Sequence, residues 1–505
     1  MRETTVDERK NFWDRPLAAV LSLSVEQWAY VLLGVLTLAT RLWGLGDRAM
    51  SHDESLHVVY SWKLYAGEGY QHDPMMHGPF LFHINALIYL LFGDNDFTGR
   101  LAPALFGVGL VLLPYFMRRW LGRLGALAAS VMLFLSPTIF FHSRYIRHDI
   151  FAATFAALLV FLLFRYMEAG EDRWLWAAGA ALGFLYCTKE VSFIYVAIMG
   201  LFFAACVALE WWRGGRRWPP GPSRLLDVTV VLGTLSLPLL SPFLTKVLGF
   251  NPLDYSQAGI LRSGVIFLGF ALVAMGVGLW WDRRRWPAIA GTAYLIMILL
   301  FTTFFTNGRG FATGLFGSLG YWLEQHGVQR GDQPWYYYLF LVPMYEFLPL
   351  VFSVGGLAYG IVRGRKGLEG TGEAEKRRSP VALGLSTRGL FSLFLVWWAF
   401  ATWVIYSYAG EKMPWLTVHF ALPLSLLAAR WVDAVLGRVD WRDLWRRGMP
   451  YVLVGVPLLG VALYVLIVTQ PFRGKSLEQL SDTMQWLLAL AAAALFLYLL
   501  VKVVR

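Results

Sequence analysis

The stretch 149–167, "DIFAATFAALLVFLLFRYM", decides the fold class. It is an apolar run of about 20 residues, long enough to cross a bilayer core roughly 30 Å thick, and it opens on an aspartate. Similar runs recur along the 505 residues, 57% of which are hydrophobic and only 15% charged. We expect an all-α polytopic membrane protein of about fourteen spans. They centre on 28–45, 97–117, 124–141, 149–167, 174–188, 190–211, 226–249, 259–281, 287–306, 336–362, 389–408, 415–436, 450–469 and 484–503. The net charge of +11 sits in short basic clusters between these runs, the pattern of loops beside a membrane rather than of a nucleic-acid-binding face. Cys187 and Cys206 both lie in apolar stretches and read as buried thiols.

Charge orients the chain. The run Phe80–Phe92 is too short to span and reads as an interfacial helix. With it kept out of the count, Arg118, Arg119 and Arg123, the cluster "RGGRRW" at 213–218, Arg283 to Arg285, and Arg446 with Arg447 all fall on the cytoplasmic side. Both termini are then cytoplasmic. We read one domain over 1–505, with a first outer loop at 46–96, a second at 307–335 and a cytoplasmic linker at 364–388.

The outer face collects the chemistry. In "MSHDESLHVVYSWK" (50–63), Ser51 and Glu54 have the spacing of a capping box, which explains Glu54 but not Asp53. Asp53 and His57, four residues apart, share one helix face. Seven of the nine histidines lie between 52 and 148, including His72, His77, His83 and His148, so a metal or phosphate site is open, although no zinc-type spacing emerges. "FHSRYIRHDIF" (141–151) places Arg144, Arg147, His148 and Asp149 at the mouth of two spans. Snorkelling accounts for Arg144; an aspartate beside arginine and histidine can ligate a cation or orient an acceptor. Lys189 and Glu190 interrupt apolar sequence, either as a pair in a tight turn or with the lysine as a phosphate ligand. Glu411 and Lys412 occupy another outer turn, and "YWLEQHGVQRGDQPWYYYLFLVPMYE" combines aromatics with Glu324, His326 and Arg330. Such aromatics form an interface belt or stack on sugar rings.

In this order, these residues resemble the GT-C membrane glycosyltransferases of the protein O-mannosyltransferase and lipid A aminoarabinose-transferase type, and in particular a bacterial and archaeal "flippase activity-associated" branch. The acidic pair Asp53-Glu54 opens the first loop; "HGPF" and "LLFGDNDFTGR" follow, with Arg100 in the arginine place. Asp149 matches the second loop's acid, and Thr188-Lys189-Glu190 a "TKG"-like element. "QPWYYYL", which contains Tyr337, and "EKMPWLTVHFALP" match later elements. Two positions depart from the pattern: His77-Gly78-Pro79 stands for Lys-Pro-Pro, and Glu190 for a glycine.

The resemblance implies an inverting glycosyltransferase of the plasma membrane, with its site on the extracytoplasmic side. It would move a sugar from a polyprenyl-phosphate donor to a hydroxyl of a protein, lipid or glycan. Asp53 would act as base, with Glu54 and Asp149 holding the acceptor or a divalent cation. Arg144, Arg147, Lys189, Lys412 and His77 would meet the donor phosphate, and His57, Arg100, Glu324, His326 and Tyr337 the substrate. No cofactor is required; a metal, if bound, would draw on Asp53, His148 and Asp149. A lipid-linked glycan flippase, or a non-catalytic partner in a glycan pathway, is the alternative; the one-sided charges and the lack of an inverted repeat speak against a transporter.

Overall fold

The computed structural model describes residues 23–214, 223–325, 332–363, 385–446 and 448–504. The regular structure among those residues is all helical, with no strand. The protein divides into two compact units, Met1–Ala434 and Val435–Arg505, where the sequence suggests one. The smaller unit contains two long apolar helices, Met449–Val468 and Leu477–Val504, packed on each other.

Among the described residues, eight helices are long and apolar enough to cross a membrane, or ten if two bent pairs each count as one span. The expected count of about fourteen is therefore not met by that criterion. Its remaining members are helices that fall short in length or hydropathy: Val25–Leu42, Arg123–Leu135, Asp172–Tyr186 and Arg285–Phe301. The bent pairs have local causes. Arg224–Ser236 turns by 47° into Pro238–Val247, where proline removes a backbone donor. Tyr337–Tyr345 turns by 107° into Phe347–Ala358, and at the break the buried Glu346 carboxylate accepts from Ser136 Oγ at 2.5 Å. Phe80–Phe92 is a separate helix of 13 residues, as its length predicts.

Asp149–Ala169 is the centre of the larger unit: 78% of its apolar window is buried, against 11% for Gln257–Trp281. Helices Leu101–Leu112, Asp172–Tyr186 and Val191–Arg213 pack around it. Phe80, Phe106, Phe151 and Phe155 meet edge to face with ring centroids 4.8–5.6 Å apart, while Phe155 stacks on Phe184. These contacts fasten the short helix Phe80–Phe92 to the central span.

Small residues set the closest approaches. Gly179 and Gly183, one turn apart on Asp172–Tyr186, face Ile289 and Ala293 of Arg285–Phe301, and a Cβ at Gly183 would lie 2.7 Å from the Ala293 carbonyl oxygen. Packing of this kind does in a membrane what apolar burial does in water. We expect Gly183→Val to cost about 1–3 kcal/mol, the usual price of overpacking. A melting temperature in detergent equal to that of the parent would contradict this.

Candidate active site

The loop at 46–96 is closed by an ion-pair hub. Ser51 caps the helix His52–Tyr65 and Glu54 reaches back to the Ser51 amide at 3.1 Å, so the capping box is present. Glu54 also accepts from Arg100 Nε at 2.8 Å and Nη2 at 3.1 Å, and from Arg48 Nη2 at 2.8 Å. Arg100, fully buried, donates further to the carbonyls of Leu45 and Arg48. Burial alone would raise the Glu54 pKa, but the Arg100 hydrogen bond, the Ser51 amide and the two guanidinium charges together lower it. Expected at the chemistry, Glu54 and Arg100 instead enclose each other.

Arg144, expected on phosphate, has a different task. Its Nη1 donates to the carbonyls of Thr40, Arg41 and Trp43, and its Nη2 to that of Gly44. Those are the orphan carbonyls at the end of Val25–Leu42, where a cation is favoured.

The second half of the loop is clipped to the bundle by main chain. The Gly78 amide donates to the Thr188 carbonyl and the Phe80 amide to the Cys187 carbonyl, each at 2.9 Å. A side chain at Gly78 would run into the Cys187 carbonyl, so the glycine permits the contact. His77 is thereby set beside Glu190, with Nδ1 2.6 Å from Oε2. The two departures from the family pattern therefore face each other. Lys189 and Glu190 do not pair together: Lys189 turns to Asp149.

Asp53, Arg147 and Asp149 form the centre. Arg147 Nη1 donates to Asp53 Oδ2 at 2.6 Å, and its Nε lies 3.4 Å from Asp149 Oδ2. Its guanidinium lies 3.6 Å over the Trp415 ring. Asp149 Oδ1 accepts from Lys189 Nζ at 2.7 Å and from His419 Nε2 at 3.2 Å, and the Tyr195 hydroxyl, 2.7 Å from His419 Nδ1, donates to it. Asp149, Lys189 and His419 are buried, whereas the Asp53 side chain is 41% exposed. Asp53 and Arg147 line a cavity of about 520 Å³ whose walls include Phe140, Phe141, Tyr145 and Trp415. A smaller chamber holds Lys189, Glu190, His77 and Glu411 against Trp415.

The imidazoles follow their neighbours. His57 Nδ1 donates to the Asp53 backbone carbonyl at 2.6 Å, not to its carboxylate, and burial pushes the His57 pKa down to about 4. His148 Nε2 donates to the Gly78 carbonyl at 3.0 Å, and its ring lies 5.0 Å from that of His57 and 5.3 Å from that of His77. Among the described residues, no three His, Cys, Asp or Glu are placed to hold a metal. The set Asp53, His148 and Asp149 does not fit one: both carboxylates already face cations, and the one bonded nitrogen of His148 is on a carbonyl.

Other expected residues lie elsewhere. Lys412 is buried with Nζ on the Ala409 carbonyl at 2.8 Å. Glu324 pairs with Lys246 at 3.2 Å on the surface. Tyr337 packs on Tyr338, and it is Tyr338 whose hydroxyl bonds both the amide and the carbonyl of Met413, each at 3.1 Å. His326 lies outside the described residues. His419, Trp415 and Tyr338 complete the site although the sequence reading singled out none of them. A histidine inside an apolar span is itself a signal of function, and His419 carried it.

A model of the dolichyl-phosphate-mannose-protein mannosyltransferase family matches residues 76–243. No curated protein matches the chain. Among solved structures, the archaeal oligosaccharyltransferase AglB from Archaeoglobus fulgidus, in complex with an inhibitory peptide and a dolichol-phosphate, is 14% identical with a TM-score of 0.50; the match covers 93% of this chain and 56% of that one. ArnT from Cupriavidus metallidurans bound to undecaprenyl phosphate is 18% identical with a TM-score of 0.48, covering 95% of this chain and 72% of that one. The chain shares its fold with AglB. It is a multi-pass membrane protein with the GT-C fold. The mannosyltransferase family match takes in His77, Asp149 and Lys189, and leaves Asp53 and His419 on either side of it.

The Glu54 hub yields a test. Removing one partner of a buried ion pair costs about 3–5 kcal/mol, so Glu54→Gln should lower the melting temperature. A carboxylate with a lowered folded pKa stabilises the fold above the ordinary carboxylate range and loses that contribution as pH falls through the folded value. The parent should therefore lose stability on acidification from pH 7 to 3 more steeply than Glu54→Gln; parallel curves would refute the pair's contribution.

Proposed function

We propose that this chain is an inverting glycosyltransferase that moves a sugar from a polyprenyl-phosphate donor to a hydroxyl acceptor. It would act in the plasma membrane, with both termini cytoplasmic and the site on the extracytoplasmic face. The observation that carries the reading is Asp53: a half-exposed carboxylate, held by Arg147 at 2.6 Å, on the wall of an aromatic-lined cavity. A lipid-linked phosphate needs an apolar passage ending at a cation and a base.

The residues divide the work. The acceptor hydroxyl loses its proton to Asp53 as its oxygen bonds to the anomeric carbon, while the bond from that carbon to the phosphate oxygen breaks on the opposite face. Base catalysis of this sort is worth about a hundred- to ten-thousandfold. Charge builds on the departing phosphate, and Arg147 and Lys189 are the cations nearest the cavities. Once Asp53 takes the proton, its hold on Arg147 weakens and the guanidinium can turn to the phosphate. Asp149, fixed by Lys189 and His419, and Trp415 beneath the guanidinium act as positioning residues for Arg147 and Lys189.

The test is sugar transfer by purified protein in nanodiscs from a polyprenyl-phosphate donor, followed by product anomeric configuration. Asp53→Asn should transfer about a hundred- to ten-thousandfold more slowly with an unchanged melting temperature. Equal transfer by Asp53→Asn, or retention of configuration, would refute the assignment of the base.

A further inference from the structure

A second cavity, of about 380 Å³, lies outside the Asp53 site and has no part in the mechanism above. Its walls come from four separate pieces of chain: the helix His52–Tyr65 through Tyr60, the segment 70–76, Tyr255 with Ile260, and the segment 307–313. The size is that of a small-molecule pocket. Its chemistry is mixed: Tyr60, Tyr70 and Tyr255 supply aromatic surface, and Gln71, Asp73, Asn307 and Arg309 supply planar hydrogen-bonding groups. Gln71 and Arg309 are exposed, and the Arg309 guanidinium has no carboxylate partner among the described residues.

The walls carry unused polar atoms. Tyr70 Oη, His72 Nε2, Tyr255 Oη and Asn307 Nδ2 are buried without a hydrogen-bond partner among the described residues, and all four side chains line this one cavity. Tyr70, His72 and Asn307 are each more than nine-tenths buried. Buried polar atoms are normally satisfied, so four exceptions in the residues around one space set this part of the protein apart. The backbone beside the cavity is unusual as well. Thr303, Phe304 and Phe305, none of them glycine, have φ of 49°, 53° and 69°, and Thr313–Gly317 is a turn of π-helix. Both features are costly or rare and gather at functional positions.

We propose that this cavity binds one sugar unit of a glycan acceptor. Aromatic rings with amides, one carboxylate and one guanidinium match a neutral ring that offers apolar CH faces and alternating hydroxyl donors and acceptors. A phosphate would find Asp73 opposing Arg309, and a lipid tail would find too many polar groups. The link to the reaction is the helix His52–Tyr65, on which Asp53, His57 and Tyr60 lie at i, i+4 and i+7 on one face. Tyr60 is thus about 10 Å along the axis from Asp53, within the reach of a short oligosaccharide. One unit in this cavity would bring the terminal hydroxyl of the same chain to the carboxylate. As an acceptor subsite it rests on the transfer reaction proposed above; as a sugar pocket it does not.

Saturation-transfer NMR on the full chain in nanodiscs, with neutral trisaccharides of glucose, mannose and N-acetylglucosamine as probes, tests it. At least one probe should bind to the parent and to Asp53→Asn alike. Arg309→Ala and Gln71→Ala, both at exposed positions and so expected to keep the parent melting temperature, should each weaken that binding tenfold or more. Absence of binding by all three probes, displacement of a bound probe by inorganic phosphate, or equal binding by both variants would overturn the proposal. Arg309-dependent binding by a protein that transfers no sugar would uphold this pocket and refute the reaction instead.

Discussion

Arg147 is the residue on which the candidate site depends. One guanidinium holds the exposed carboxylate of Asp53 through one nitrogen and faces the buried carboxylate of Asp149 through another, with its plane resting on Trp415. Two carboxylates in one pocket repel, and a cation between them removes that cost. Because arginine is planar and always charged, it can join the two and still stack, which a lysine could not do. The first loop, the central span and the turn after "GEKMP" meet at this side chain.

Around that centre, the structure separates charges that hold the fold from charges that face a cavity. Glu54 with Arg100 and Arg144 with four carbonyls are internal closures. Asp53, Arg147 and Lys189 line open space. The pair His77 and Glu190, 2.6 Å apart, belongs to the second group. A glycine at 190 would leave His77 without its partner.

Much of this was legible in the sequence. Apolar runs gave the helices, the capping box at Ser51 and Glu54 was read from spacing, and Asp53 stood out as the residue the cap did not need. What spacing cannot give is partnership across the chain. Glu54 meets Arg100, Lys189 meets Asp149 rather than its neighbour Glu190, and Arg144 turns inward to the end of a helix. The bend at Glu346 was also hidden, because a buried carboxylate next to prolines looks like the interior of one long apolar segment until Ser136 is seen to hold it. His419 was missed for a simpler reason: it sits alone in its span, and its partners Tyr195 and Asp149 lie more than two hundred residues earlier.

The partnership of Asp149 also bears on how the protein is made. Its carboxylate comes with the central span, and Lys189 follows one helix later, after Asp172–Tyr186. His419 is synthesised near the end of the larger unit. Until those residues arrive, Arg147 is the cation beside the acid at the head of the most buried helix. The full set of partners around Asp149 therefore exists only once the last third of the chain has been made.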